Sequence, residues 1–291
     1  MRDRVALADG SVLAFQDTGG PGPVVVLAHG GTTDSRLWMR QVPVLAGRFR
    51  VITYDWAGHG ESGDPVGPYA RHEQLLQLLD QLDVDRAALV GSSDGGKLAL
   101  DVALLRPELV DGLVLVGSGV SGYQWPESFL TLYRQRVHEV VGPEPRDLET
   151  YVRATVEFLT AGPGRSWTDL DPEVWRLALE MFRTITRREW SGSAQFEARD
   201  LEPPAFGRLD QVEVPVLVVH GTEDVPGIVE LSELLAGAAG INAAGIKGAR
   251  HAVLPGAGHL PPLEQPDEFN RVLLDFLDTL TAGPAGPRSS A

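Results

Sequence analysis

The chain has 291 residues, 43% of them hydrophobic and 22% charged, the balance of an ordinary globular protein with ample core. Its formal net charge of −15 argues against nucleic acid and anionic membrane surfaces as partners, since both are polyanions. The absence of cysteine excludes disulfides, thiol catalysis and Cys-based zinc sites.

Met1–Gly10 contains no apolar run long enough for a signal peptide, and nowhere do about 18 apolar residues follow one another. A cytoplasmic protein with no membrane partner is expected. Residues 4–8 and 11–17 alternate around Asp9-Gly10, the signature of a hairpin between two short strands. Val24–Ala28 is the first continuous apolar run, and similar runs recur at Arg50–Tyr54, Ala87–Val90, Leu113–Val116, Val216–Val219 and His251–Leu254. Such runs suit strands buried on both faces. Helical patterns fill the gaps at Leu37–Leu45, His72–Leu82, Gly95–Leu105, Ile228–Leu235 and Asp267–Leu280. That alternation predicts an α/β fold whose central sheet is mostly parallel, with helices on both faces.

Residues 119–208 break the rhythm. They hold helical patterns (Ser128–Val140, Asp147–Leu159, Pro172–Thr186), no strand pattern, and most of the aromatics, among them Trp125, Trp167, Trp175 and Trp190. The expected organisation is therefore a core of residues 1–118 and 209–282, interrupted by a helical cap at 119–208. Residues 283–291, rich in Gly, Pro and Ser, read as a disordered tail.

Gly91-Ser92-Ser93-Asp94-Gly95 lies between an apolar strand and an amphipathic helix and fits the G-x-S-x-G frame only with Ser93 at its centre. A strand turning sharply into a helix presents that serine at the sheet's edge, and the glycines let the two elements approach closely. A serine mechanism also needs a base, an acid and an oxyanion hole. His29-Gly30-Gly31-Thr32 leaves a strand end as a glycine-rich loop, with Gly31 N–H the candidate donor to an oxyanion. Asp94 N–H, at the start of the next helix, is the second, while His29 is read as structural. The strand Pro215–His220 runs into two carboxylates, Glu223 and Asp224, and His259 follows the last strand in a glycine-flanked turn. The seven histidines contain no H-x-x-x-H pair, so no metal site is expected.

The order Ser93, Asp224, His259 is that of α/β-hydrolases. From about Val24 to Leu280 the chain resembles that superfamily in His29–Gly31, Tyr54–Ser62, Gly91–Gly96, Gly221–Asp224 and Gly256–His259. The resemblance implies Ser93 as nucleophile, His259 as general base, Asp224 as its orienter, Gly31 and Asp94 as oxyanion hole, and no cofactor. It marks Asp55–Ser62 as a structural loop. Within the superfamily the chain is most similar to small bacterial esterases and lactonases of the 3-oxoadipate enol-lactonase kind, though these often carry Met at the position of Asp94. Serine at the elbow separates it from the haloalkane dehalogenase and epoxide hydrolase branches. The implied activity is hydrolysis of a small to medium, largely apolar carboxylic ester, lactone or thioester. Tyr123, Trp125 and Phe129, just after a core strand, are the candidate substrate-binding residues. C–C bond hydrolysis or perhydrolysis by the same triad, or ligand binding without turnover, are the alternatives.

Overall fold

A computed structural model describes residues 2–142, 147–193, 196–238 and 245–281. The apolar runs become neighbours in one eight-stranded sheet: β1 (Asp3–Ala6), β2 (Val12–Asp17), β3 (Val24–Ala28), β4 (Arg50–Tyr54), β5 (Ala87–Ser92), β6 (Val110–Val116), β7 (Val216–Gly221) and β8 (Arg250–Leu254). Their order is β1-β2-β4-β3-β5-β6-β7-β8, with β1 and β2 antiparallel and the other six parallel.

Alternation along each strand sorts the core into two layers. Val26 and Ala28 of β3 face one side with Leu89, Leu113 and Leu115, under Leu75, Leu78 and Leu98 of the helices Arg71–Gln81 and Asp94–Leu105. Val25 and Leu27 face the other side with Val90 and Val114, under Phe269, Leu273 and Phe276 of the helix Pro266–Thr281. This is the parallel sheet with helices on both faces that the runs predict. After β3 the chain moves outward to β4, then returns to place β5 on β3's other side. The loops leaving β3 and β5 therefore diverge, and a crevice opens at the carboxyl ends of such a pair.

Two local expectations need correction. The proposed helix over Leu37–Leu45 is two short pieces, Ser35–Trp38 and Val42–Leu45. Pro43, with no N–H to donate, prevents a continuous ladder. The hairpin is also wider than a two-residue turn: residues 7–11 form the loop, Leu7 N–H donates to Ser11 O at 2.9 Å, and Gly10 supplies a φ of +86°.

Between β6 and β7 the described residues form helices and no strand of the sheet. Glu127–Tyr133 continues through a wide turn to Val141, Leu148–Val156 continues likewise to Ala161, and Pro172–Trp190 follows. The last is capped by Asp171, which accepts from Glu173 N at 2.7 Å, with Pro172 in the first turn. Both ends of this segment are tied to the helix after β5. Ser121 Oγ donates to buried Asp101 at 2.7 Å and accepts from Ala205 N at 2.9 Å. Burial pushes the Asp101 carboxyl up to about 6, against the Ser121 hydrogen bond that favours its ionised form. The expected tail, 283–291, lies outside the described residues. Among the described residues no helix is long and apolar enough to cross a membrane.

Candidate active site

The turn from β5 into the helix Asp94–Leu105 is unusually tight. A Cβ on Gly91 would lie 2.1 Å from Gly95 O, and one on Gly95 would lie 2.3 Å from Ala28 O, so neither position admits a side chain. Ser93 between them has φ +55° and ψ −121°, a conformation costing a non-glycine residue about 1–3 kcal/mol. Its N–H donates to Val116 O at 2.8 Å, which ties the elbow to the end of β6. Strain at this one serine is what the G-x-S-x-G spacing predicts.

The loop after β3 packs directly on the elbow. A Cβ on Gly30 would stand 3.0 Å from Ser93 Cβ, and one on Gly31 only 2.8 Å from Asp94 Oδ2. Neither Gly31 N–H nor Asp94 N–H has an acceptor among the described residues. Two donors beside a serine, the second at a helix N-terminus, suit a developing anion. His29 is fully engaged with backbone. Its Nε2 accepts from Trp56 N at 3.1 Å, so Nδ1 carries the proton and donates to Gly30 O at 2.8 Å.

Asp224 and His259 meet. His259 Nδ1–H donates to Asp224 Oδ2 at 2.9 Å and to Oδ1 at 3.1 Å, with both side chains buried. Asp224 Oδ1 also accepts from Val225 N at 2.7 Å, and Glu223 N donates to Ala257 O at 2.9 Å, clasping the two loops together. The Glu223 carboxylate turns away to accept from Thr222 Oγ1 at 3.1 Å. A Cβ on Gly117, one residue beyond β6, would sit 3.1 Å from both Asp224 Oδ2 and His259 Nδ1. The carboxylate–imidazole pair and Ser93 thus flank the same strand end. Burial disfavours charge on His259, but Asp224, helped by Glu264 and Asp94, raises its pKa above the ordinary histidine value.

Tyr123, Trp125 and Phe129 form one aromatic cluster. Tyr123 meets Trp125 edge-on at 5.2 Å between ring centroids, and Trp125 stacks on Phe129 at 4.5 Å. Phe129 lies against Gly227, three residues beyond Asp224.

The loop Asp55–Ser62, read as structural in the sequence, is built on contacts that the sequence does not show. Asp55 is a structural hub: its Oδ1 accepts from Ser35 N at 2.8 Å and its Oδ2 from Glu61 N at 2.9 Å and Arg2 Nη1 at 2.7 Å. That accounts for the loop Asp55–Ser62. His59 from this loop places Nε2 3.2 Å from Gly31 O and Nδ1 3.3 Å from Ala57 O, and burial pushes its pKa down to about 3, so the neutral ring has one N–H to donate between these two carbonyls. Beside His59 lies a cavity of about 580 Å³, lined also by Tyr69, Arg71, Lys97, Glu189 and Asp200. Lys97, one turn along the helix from Ser93, pairs with Asp200 at 2.5 Å, and Arg71 stacks over Trp56 at 4.3 Å. This lining is polar, and it includes none of Ser93, His259, Tyr123, Trp125 and Phe129. Asp55 and His59 fall within the loop segment that the sequence marks, whereas no spacing rule links Arg71 to them, because only the tertiary fold brings it there.

The α/β hydrolase fold family matches residues 23–266. The chain is 29% identical over 292 residues to the 2-hydroxy-6-oxononadienedioate/2-hydroxy-6-oxononatrienedioate hydrolase of Paraburkholderia xenovorans, covering 94% of this chain and 93% of that protein. It is 30% identical over 263 residues to the pimeloyl-[acyl-carrier protein] methyl ester esterase of Nitrosomonas europaea, covering 87% and 95%. Among solved structures it is similar to the enol-lactonase of Burkholderia xenovorans LB400, with a TM-score of 0.71, 26% identity, and coverage of 95% of this chain and all of that one. Strand order, elbow and family match agree along most of the sequence, and the chain belongs to the α/β hydrolase fold family.

Proposed function

We propose that this protein is a serine hydrolase acting on carboxylic esters, lactones or thioesters through an acyl-enzyme on Ser93. The observation that carries the reading is the strained Ser93 at a strand end that it shares with a buried His259, whose Nδ1–H is held by Asp224. In this mechanism Ser93 Oγ attacks the acyl carbon as His259 Nε2 takes its proton. Gly31 and Asp94 N–H hold the oxyanion, His259 protonates the leaving alkoxide, and water repeats the sequence on the acyl-enzyme. The relatives named as a methyl ester esterase and an enol-lactonase support the ester or lactone bond. The relative named for 2-hydroxy-6-oxononadienedioate favours a second reading, hydrolysis of a C–C bond by the same residues.

Labelling with a fluorophosphonate, followed by mass spectrometry, tests the nucleophile: modification at Ser93 supports it, and an unlabelled Ser93 overturns it. Turnover of short p-nitrophenyl esters against diketones then separates the two bonds.

In this reading the segment between β6 and β7 is a cap, and its aromatic cluster sets acyl-chain preference. Tyr123→Ala, Trp125→Ala and Phe129→Ala are expected to shift the chain-length profile by about 1–3 kcal/mol per methylene, with less effect on the smallest ester. An unchanged profile in all three would return these rings to the cap's own core. Gly31→Val is expected to lower kcat by about 10²–10³, the loss of one oxyanion donor. Its side chain would meet the Asp94 carboxylate, and relief of that collision moves the donor. A rise in KM with kcat intact would remove Gly31 from the oxyanion hole.

A further inference from the structure

His259 is held through its backbone as well as its ring. Glu264, at the end of the short helix Pro261–Glu264, places one carboxylate across the turn: Oε2 accepts from Gly258 N at 3.0 Å and Oε1 from Leu260 N at 3.0 Å. The N–H groups on either side of the imidazole-bearing residue thus end on the same side chain. Arg165, which lies between β6 and β7, completes the clamp. Its Nη2 donates to Glu264 Oε2 at 2.8 Å and to Thr160 O at 3.1 Å, its Nη1 to Gly256 O at 2.9 Å, and its Nε to Ala161 O at 2.8 Å. The Glu264 side chain is 6% exposed and that of Arg165 17%.

Burying such a pair costs several kcal/mol of desolvation, and two apolar side chains could pack these segments together without that cost. Apolar groups could not, however, accept the two N–H groups at 258 and 260. A guanidinium fork can in turn hold the carboxylate and three carbonyls in one fixed geometry.

We propose that Glu264 and Arg165 are positioning residues for His259: the carboxylate fixes the peptide groups flanking the imidazole, and the guanidinium registers them against the segment Thr160–Arg165. The inference rests on the reading of His259 as general base. Placement of the inserted segment and placement of the base are then one variable. Charged groups bearing on the imidazole are Asp224 from the loop after β7, Glu264 from its own turn and Asp94 from the elbow helix.

The test compares Glu264→Gln, Glu264→Asp and Arg165→Met with wild type on p-nitrophenyl acetate, counting competent sites by end-point fluorophosphonate labelling. Glutamine has one acceptor oxygen for two N–H groups and no charge. Aspartate keeps the charge but is too short to span both. Each variant is expected to lose up to about 10²-fold in kcat per competent site, the effect of misplacing a reacting group by about 1 Å, with KM nearly unchanged. The acid limb of the rate profile is expected to move to lower pH in Glu264→Gln, which removes a negative charge beside the imidazole, and to stay in place in Glu264→Asp. Values of kcat per competent site within about twofold of wild type in the variants that fold would overturn the proposal. His259→Ala is the control for the underlying reading. If it retains turnover, the base assignment fails, whereas an inactive His259→Ala beside fully active Glu264 and Arg165 variants sinks the positioning role alone.

Discussion

Ser93→Ala is expected to give a folded protein without esterase activity beyond a residual rate about 10³–10⁴ over water, which the oxyanion donors and binding can sustain without a nucleophile. Alanine keeps the steric demands of the elbow, because Gly91 and Gly95 carry the close approach and Ser93 N–H, not its side chain, makes the bond to Val116 O. Alanine also inherits the strain of φ +55° and ψ −121°, so its melting temperature should match wild type. Ser93→Gly should be equally inactive yet more stable than Ser93→Ala by about 1 kcal/mol, since relief of backbone strain exceeds glycine's extra chain entropy. Thermal unfolding and initial rates on one p-nitrophenyl ester measure both effects. Near-wild-type turnover in a clean Ser93→Ala preparation would rule out the serine mechanism. Equal stability of the two variants would mean that the elbow is not strained.

The parts of the molecule legible in the sequence are those written in local pattern. Continuous Val- and Leu-rich runs are strands buried on both faces, and β3 to β7 fall where such runs lie. Gly91 and Gly95 mark the elbow because a two-residue spacing on each side of a serine has a steric cause that any sequence obeys. Elements broken by a single residue are harder to see. The apolar spacing of Leu37–Leu45 suits a helix, and only Pro43 signals the interruption. Contacts joining distant segments leave no local trace at all. Arg165 and Glu264 lie 99 positions apart, and His59 reaches Gly31 across 28. The polar cavity beside His59 is hidden for the same reason: Arg71, Lys97 and Glu189 come from three helices that only the fold brings together.

Two adjacent carboxylates provide the sharpest test of the site. In the sequence, Glu223 and Asp224 are equivalent in charge and differ by one position, and a carboxylate three residues after Gly221 is the family's pattern. In the structure the choice has a geometric cause. Glu223 N–H is tied to Ala257 O, and its carboxylate lies with Thr222, while Asp224 turns inward to His259 Nδ1 at 2.9 Å. Asp224→Asn should preserve shape but can present an amide N–H to the ring, favouring the tautomer with its proton on Nε2. That tautomer cannot accept the proton of Ser93, so kcat is expected to fall by about 10³–10⁴, the scale of loss that a wrong imidazole tautomer causes in serine protease triads. The pH profile should move as well. Burial works against an imidazolium at His259, and Asp224 is the largest of the groups that overcome it. Wild type should therefore need a pH above the ordinary histidine value for the base to be neutral. Residual activity of Asp224→Asn should have its acid limb at lower pH. Glu223→Gln removes a charge that makes no contact with the ring and should cost no more than about a few-fold. The measurement is kcat for both variants on one good ester, from about pH 5 to pH 9, a range that spans the ordinary histidine pKa. A large loss in Glu223→Gln with Asp224→Asn near wild type would transfer the orienting role to Glu223.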